Sequence, residues 1–274
     1  MLTRLKEHRV VKPWGRTEVP ERFGPTDGEP LGEIWFQRDG GSEDALLVKY
    51  LFTSERLSVQ VHPDDDAARA AGLDRGKDEA WLILDADPKA EIAIGLKEPL
   101  SSEALRASAL DGSIVDRLDW RQVSAGDAFY SPAGTLHAIG AGLTLLEVQQ
   151  NADITYRFFD YGRDRELHLD EAVAAADADS SPDRSIEQPL SVGRSLLVRG
   201  PKFSVERWRM GRGRLPASRE APLWLINLGG RTHANGQLLE ECSVWIADTE
   251  VELEIEAGAE LLVAYEGPQV RALH

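Results

Sequence analysis

Val251-Glu-Leu-Glu-Ile255 alternates strictly between apolar and acidic side chains and ends at Ala257-Gly258. In an extended chain, Val251, Leu253 and Ile255 share one face and the glutamates share the other, as in a half-exposed strand. The same period of two recurs at 46–52, 57–61, 81–84, 92–96, 128–131, 143–149, 205–210, 223–228, 243–246 and 261–265. Glycine, proline or aspartate occupies most of the gaps. Many short strands separated by turn signals indicate an all-β sandwich or barrel. Helical signals are few: Ser101-Ser-Glu103 opens a segment to about Leu118 with Leu105, Leu110, Ile114 and Leu118 as its buried stripe, and 164–176 is alanine-rich with Leu167, Leu169 and Val173. No P-loop, dinucleotide fingerprint or βαβ repeat occurs, so parallel α/β folds lose ground.

The chain has 274 residues, 42% of them hydrophobic, which is enough for about two domains with cores of their own. The polar, proline-containing stretch 177–190 divides a first region, 1–176, from a strand-rich second region, 191–274, and is expected to be a linker or crossover. With 47 acidic residues against 31 Lys plus Arg, the formal charge is -16, which opposes non-specific binding to nucleic acid or anionic membrane. A local basic patch could still hold an anion. Cys242 is the single cysteine, which excludes an internal disulfide and any thiolate cluster for a metal. The first twenty residues lack the apolar core of a secretory signal, and no uncharged apolar run reaches membrane-spanning length. A cytoplasmic protein is the expectation.

Chemistry concentrates in the first region. In Leu57-Ser-Val-Gln-Val-His-Pro-Asp-Asp65, alternation puts Ser58, Gln60 and His62 on one face and Leu57, Val59 and Val61 on the other, before Pro63 interrupts the ladder. Lys77 and Glu79 share a face at the start of another strand. Pro132-Ala-Gly-Thr-Leu-His137 is a tight turn that presents His137 at the beginning of the next strand. Gln60, His62, Glu79 and His137 together offer two imidazoles, a carboxylate and an amide oxygen, a donor set suited to zinc or a similar divalent ion. Glu147 shares a face with Leu143, Leu145 and Gln149, and a carboxylate there needs either a salt-bridge partner or a task. Lys49, in a run of apolar residues, either reaches solvent from a strand end or meets an anionic ligand. Arg157 and Arg163 punctuate an aromatic stretch, serving either structural ion pairs or an anionic small molecule. In the second region His233 has no Gln-x-His companion, and His274 stands at the terminus, so no metal set is expected there.

Taken in order, Lys12-Pro-Trp-Gly15, Gly32-Glu-Ile-Trp35, Leu57 to Asp65, Gly76-Lys-Asp-Glu79, Pro132 to His137 and Glu147-Val-Gln-Gln-Asn-Ala-Asp-Ile-Thr-Tyr-Arg157 resemble the type I mannose-6-phosphate isomerase family in its short bacterial form. The matching pieces span about the first 165 residues. The resemblance implies cupin-type jelly-roll β-barrels with short helical additions and one divalent metal ion, commonly zinc, on Gln60, His62, Glu79 and His137. It further implies Lys77, Glu147, Asp153 and Arg157 around the reacting sugar, and Lys49, Ser58 and Arg163 at its phosphate. The implied reaction interconverts mannose 6-phosphate and fructose 6-phosphate through an enediolate. The chain has no room for the large helical insertion of longer members, and the second region looks like a cupin-like half without a metal set. A cupin of another class, such as an iron-dependent dioxygenase, leaves Gln60 awkward, because the usual iron triad is two histidines and a carboxylate. A non-enzymatic sugar-binding module leaves Glu147 without a purpose. Monomer and homodimer both remain open.

Overall fold

A computed structural model describes residues 1–39, 44–179 and 182–273. Among the described residues the strands form four sheets, all antiparallel. Lys6–Arg16, Leu31–Gln37, Leu46–Thr53, Leu143–Gln150, Glu79–Ala86 and Ala128–Ser131 lie side by side in one six-stranded sheet. Tyr156–Phe159, Val59–Val61, His137–Ile139, Glu91–Leu96 and Leu118–Gln122 form a five-stranded sheet. The second region supplies five strands of a seven-stranded sheet, whose edge strands are Gln188–Ser191, at the end of the 177–190 stretch, and the N-terminal Leu2–Arg4. A four-stranded sheet runs Gly211–Leu215, Val251–Ile255, Thr232–Ala234, Gln237–Leu238.

Alternation explains how these sheets stack. On Leu46–Thr53, Val48, Tyr50 and Phe52 point one way and join Leu82, Leu146 and Val148 against Val205, Phe203, Trp224 and Ile226 of the seven-stranded sheet. Leu51, Trp81, Ile83, Leu143 and Leu145 point the other way and meet Ile92, Ile94 and Ile139 of the five-stranded sheet. The seven-stranded sheet buries its far face, including Trp208, Leu225 and Tyr265, against Leu215, Val251 and Leu253 of the four-stranded sheet. The outer face of the five-stranded sheet is covered by short helices through Leu105, Ile114 and Ala172. The result is a mostly β protein with few helices, in which every sheet has at least one covered face.

Several sequence expectations need correction. The segment expected as one helix from 101 to 118 is a helix at Ser102–Asp111, a single turn at Ile114–Arg117 and then a strand. Gly112 breaks it by adopting a left-handed φ of 79°. Leu110 is 71% exposed, while Leu105, Ile114 and Leu118 are buried. The second helix starts only at Leu169, because the chain before it wraps around the buried carboxylate of Asp160. Leu57 lies ahead of its strand and packs with Ile139 in the sandwich interior, on the side opposite Val59 and Val61. Within 177–190, Arg184 bridges to Phe129 and Gln188 opens an edge strand, while Ser180 and Ser181 lie outside the described residues, as does His274.

Candidate active site

The interior between the six- and five-stranded sheets is apolar at one end and charged at the other. Along Leu143–Gln150 the inward residues run Leu143, Leu145, Glu147, Gln149, and along Glu79–Ala86 they run in the opposite sense, Ile83, Trp81, Glu79. Antiparallel register therefore stacks Leu145 beside Ile83, Glu147 beside Trp81 and Gln149 beside Glu79. Glu147 also stands opposite Lys49. A two-residue period thus delivers an apolar core and a polar site from one face of the same strands.

His62, Glu79 and His137 meet at the charged end, all buried, with one ligand atom from each within 4.8 Å of the others. His62 Nε2 lies 3.2 Å from Glu79 Oε1, and His137 Nε2 lies 3.5 Å from Glu79 Oε2. The register pairs His137 with Gln60, whose amide nitrogen lies 3.1 Å from His137 Nε2. A half-turn of that amide would present its oxygen instead.

The outer ring nitrogens are fixed by backbone carbonyls: His62 Nδ1–H donates to Ile154 O at 2.8 Å and His137 Nδ1–H to Thr135 O at 2.9 Å. Both Nε2 lone pairs then converge on Glu79, the tautomer that a metal requires. Neither carboxylate oxygen of Glu79 has a hydrogen-bond partner, although the Lys77 ammonium lies 2.6 Å from Oε1. Two imidazole nitrogens and a carboxylate, buried with their ligand atoms within 4.8 Å of one another, are a donor set that fits a divalent ion.

Burial, with Lys77 alongside, pushes the His62 imidazole down to about 3, and burial lowers His137 as well. Burial would raise Glu79, but Lys77 and the imidazoles outweigh it and hold the carboxyl well below its ordinary range. Burial would lower Lys77, and the carboxylates of Glu79 and Glu147 reverse that. Glu147 is raised by burial and then by the negative charge of Glu79. Two neighbouring carboxyls are thereby driven in opposite directions, one held as an anion and the other given a stronger grip on a proton.

Above the cluster opens a cavity of about 210 Å³. Lys49, Ser58, Gln60, Lys77, Glu147, Asp153 and Arg157 line it, and so do Lys12, Glu33, Trp35 and Arg165. Glu147 faces Lys49 Nζ at 3.2 Å and accepts from Trp81 Nε1 at 3.3 Å. Lys49 also donates to Gln149 Oε1 and sits 4.5 Å from the centre of the Trp35 ring. Arg157 donates through Nη1 to the Glu166 carbonyl at 2.7 Å, and its buried Nε has no hydrogen-bond partner.

Arg163 is not among the lining side chains; it lies 3.0 Å from Asp160, which also grips Arg165 through both oxygens at 2.6 and 2.7 Å. Arg165 is thus a wall residue that sequence reasoning assigned to a helix. Lys12, Glu33 and Trp35 lay inside the quoted motifs without a role, and they shape the wall together: Glu33 pairs with Lys12 at 3.5 Å and accepts from Trp35 Nε1 at 2.7 Å.

This arrangement defines a class: mostly β proteins with a buried His–His–Glu cluster, fit for a divalent cation, beneath a charged small-molecule pocket. The chain is 36% identical to "Mannose-6-phosphate isomerase" of Streptococcus mutans over 75% of its length and 69% of that protein's. It is 34% identical to "Mannose-6-phosphate isomerase ManA" of Bacillus subtilis, over 75% of this chain and 70% of that one. The solved mannose 6-phosphate isomerase of Bacillus subtilis superposes with a TM-score of 0.82 at 27% identity, over 96% of this chain and 99% of that one. No family model matches the sequence. The chain belongs to the mannose-6-phosphate isomerase family. Among the described residues no helix is long and apolar enough to cross a membrane.

Proposed function

We propose that the chain interconverts mannose 6-phosphate and fructose 6-phosphate in this cavity, with Gln60, His62, Glu79 and His137 holding one divalent ion, zinc by preference. The observation that carries this reading is the charge of the wall. Lys12, Lys49, Lys77, Arg157 and Arg165 outnumber Glu33, Glu147 and Asp153 in a chain whose net charge is -16. Five cations on the wall, with carboxylate partners for Lys77 and Arg165 set behind it, beside a raised carboxyl suit a phosphorylated sugar that must lose and regain a carbon-bound proton. The donor types, two imidazoles and a carboxylate with the Gln60 amide beside them, support zinc.

The reaction moves the C2 proton of the aldose to C1 while the carbonyl passes from C1 to C2. Glu147 takes the C2 proton and returns it to C1. Its raised proton affinity suits both halves of that transfer. Lys49, bound to the same carboxylate, orients it. Arg157 faces the developing enediolate oxygen with donors left open on its guanidinium. Lys77 and Asp153 hold the sugar oxygens between which the hydroxyl proton moves. The phosphate falls to Ser58 and Arg165 on the cavity wall, with Arg163 behind it on the Asp160 carboxylate that also holds Arg165, and the phosphate grip aligns C1 and C2. When bound, the ion supplies positive charge at the pocket floor.

Each half is assigned a cupin-type jelly-roll barrel, supported by the antiparallel sheets paired face to face in each. Residues 1–176 carry the chemistry and 191–274 act as scaffold. The test is metal-loaded protein with mannose 6-phosphate in deuterated water, followed by NMR. Fructose 6-phosphate with solvent deuterium entering the carbon-bound positions, lost on chelation and restored by one divalent ion, is the expected result. No product and no exchange from folded, loaded protein rejects it.

A further inference from the structure

We propose that Lys202, on a turn of the second half, is a positioning residue for the Lys77–Glu79 edge of the metal cluster. The proposal rests on the metal-site reading above. Lys77 and Glu79 face the cluster, so Asp78 between them faces the opposite way, towards the second half. Asp78 is buried and tied at every polar atom. Its carboxylate accepts from Tyr130 OH and from Ala133 N–H at 3.0 Å, its N–H donates to Gln150 Oε1 at 3.0 Å, and its carbonyl accepts from Gln150 N–H at 3.0 Å. Gln150 Nε2 donates in turn to Asp65 Oδ1 at 3.1 Å, the same oxygen that receives Gly76 N–H at 2.8 Å. Lys202 Nζ closes the chain on Asp65 Oδ2 at 2.5 Å, across 137 residues of sequence.

Each link bears on a metal ligand. Gly76 lies so close to the backbone at Pro63–Asp65 that an added Cβ would sit 2.4 Å from Asp64 C, so the segment after His62 and the segment before Glu79 move together. Ala133 belongs to the turn that leads into His137, and Gly134 N–H donates to His62 O at 2.8 Å. The second half presses on the same network at a further point. A Cβ on Gly200 would fall 2.0 Å from Tyr130 Cζ, and Phe203 stacks 5.4 Å from the Tyr130 ring. Asp65 and Lys202 keep side-chain exposures of 21% and 35%, so their ion pair adds little to global stability. Its effect falls on geometry, as outer partners of metal ligands do.

The experiment compares wild type, Lys202→Met, Lys202→Arg and a control, Arg212→Met, which breaks an exposed pair with Glu254 elsewhere in the second half. Zinc affinity is read by competition with a chromophoric chelator, alongside the melting temperature and the kcat and KM for mannose 6-phosphate. Lys202→Met should weaken zinc binding about tenfold and lower kcat more than it raises KM. Lys202→Arg should restore both, and Arg212→Met should change neither. Wild-type zinc affinity in Lys202→Met overturns the proposal, and so does an equal loss in Arg212→Met. Zinc binding by wild type without any turnover would defeat the isomerase reading alone, and the affinities would still decide the role of Lys202.

Discussion

Replacing Glu147 with glutamine separates proton transfer from everything else this side chain does. Trp81 Nε1 and Lys49 reach different carboxylate oxygens of Glu147, so the single amide oxygen can keep only one of them, while Lys49 retains Gln149 Oε1 and the Trp35 face. The fold should therefore lose about 2–3 kcal/mol, the scale of one lost charge-assisted hydrogen bond, with Lys49 still held by Gln149. That is less than the ~3–5 kcal/mol that follows when a buried charge is stranded. Glu79, His62 and His137 are untouched, so the ion should stay. An amide cannot take the C2 proton, and a positioned carboxylate contributes about 10²–10⁴-fold, or roughly 2.7–5.5 kcal/mol of barrier. The assay measures kcat, KM, metal content and deuterium wash-in on Glu147→Gln and wild type together. Both turnover and wash-in should fall within that range, with KM and metal content near wild type. Because burial is the first cause of the raised Glu147 pKa and persists with the ion bound, wild-type kcat/KM should drop on the acid side through an apparent pKa above that of an ordinary glutamate, and the variant should lack that limb. A Glu147→Gln enzyme within threefold of wild-type kcat would refute the assignment of Glu147 as the base.

Metal-free protein should be acid-labile. His62 is held at about 3 against an ordinary 6.5, so the unfolded chain binds the extra proton and stability is lost as pH falls from about 6.5 towards 3. Between pH 7 and pH 5 the loss should be about 2 kcal/mol from His62 alone, with His137 adding in the same direction; an unchanged urea midpoint over that range would overturn it. Arg157→Lys should lower kcat about 10²-fold with a smaller change in KM, since an ammonium cannot reproduce the guanidinium fork; equal kcat in the two enzymes would remove Arg157 from the transition state. Trp224→Ala, in the core that joins the six- and seven-stranded sheets, should cost about 3–5 kcal/mol and lower one shared melting transition. Two separate transitions, with only the second-half one moved, would show that the halves unfold independently.

Strand alternation was legible wherever one face was polar. Val251–Ile255 and Ala128–Ser131 occur at the expected bounds, and Glu147 shares its face with Leu143, Leu145 and Gln149. Leu46–Thr53 was readable despite burial along its whole length, because Lys49 and the flanking turns marked it. Helix extents failed for a local reason in each case. Asp111-Gly112 is a turn signal that a helix can override at a cost of about 1 kcal/mol, and the left-handed φ of Gly112 makes it a stop. A helix was expected from 164, whereas Asp160 captures Arg163 and Arg165 and delays it to Leu169. Arg165 therefore escaped notice as part of the cavity wall, since the pairing that turns it inward is a tertiary one. The stacking of the second half on the first was not legible either. Alternation assigns a residue to a face but does not say which sheet will cover that face, and Val48, Tyr50 and Phe52 are as compatible with one cover as with another.

The charge pattern of the molecule separates two length scales. A net charge of -16 governs long-range behaviour, yet it is screened over about 8 Å at physiological ionic strength. Inside the cavity the relevant charges are the five wall cations and their fixed partners, at contact range and in a low-dielectric setting. Most of these cations are already engaged: Lys12 with Glu33, Lys49 with Glu147, Lys77 with Glu79 and Arg165 with Asp160. Such pairing keeps the folded site tolerable without a ligand, because unpaired buried cations would be costly. It also means that an arriving phosphate competes for donors rather than neutralising bare charge. Arg157 stands apart, with a buried Nε that lacks a hydrogen-bond partner. Donors left open in this way can be satisfied by an anion at little cost, so they favour anionic substrate oxygens over water without demanding that existing ion pairs break.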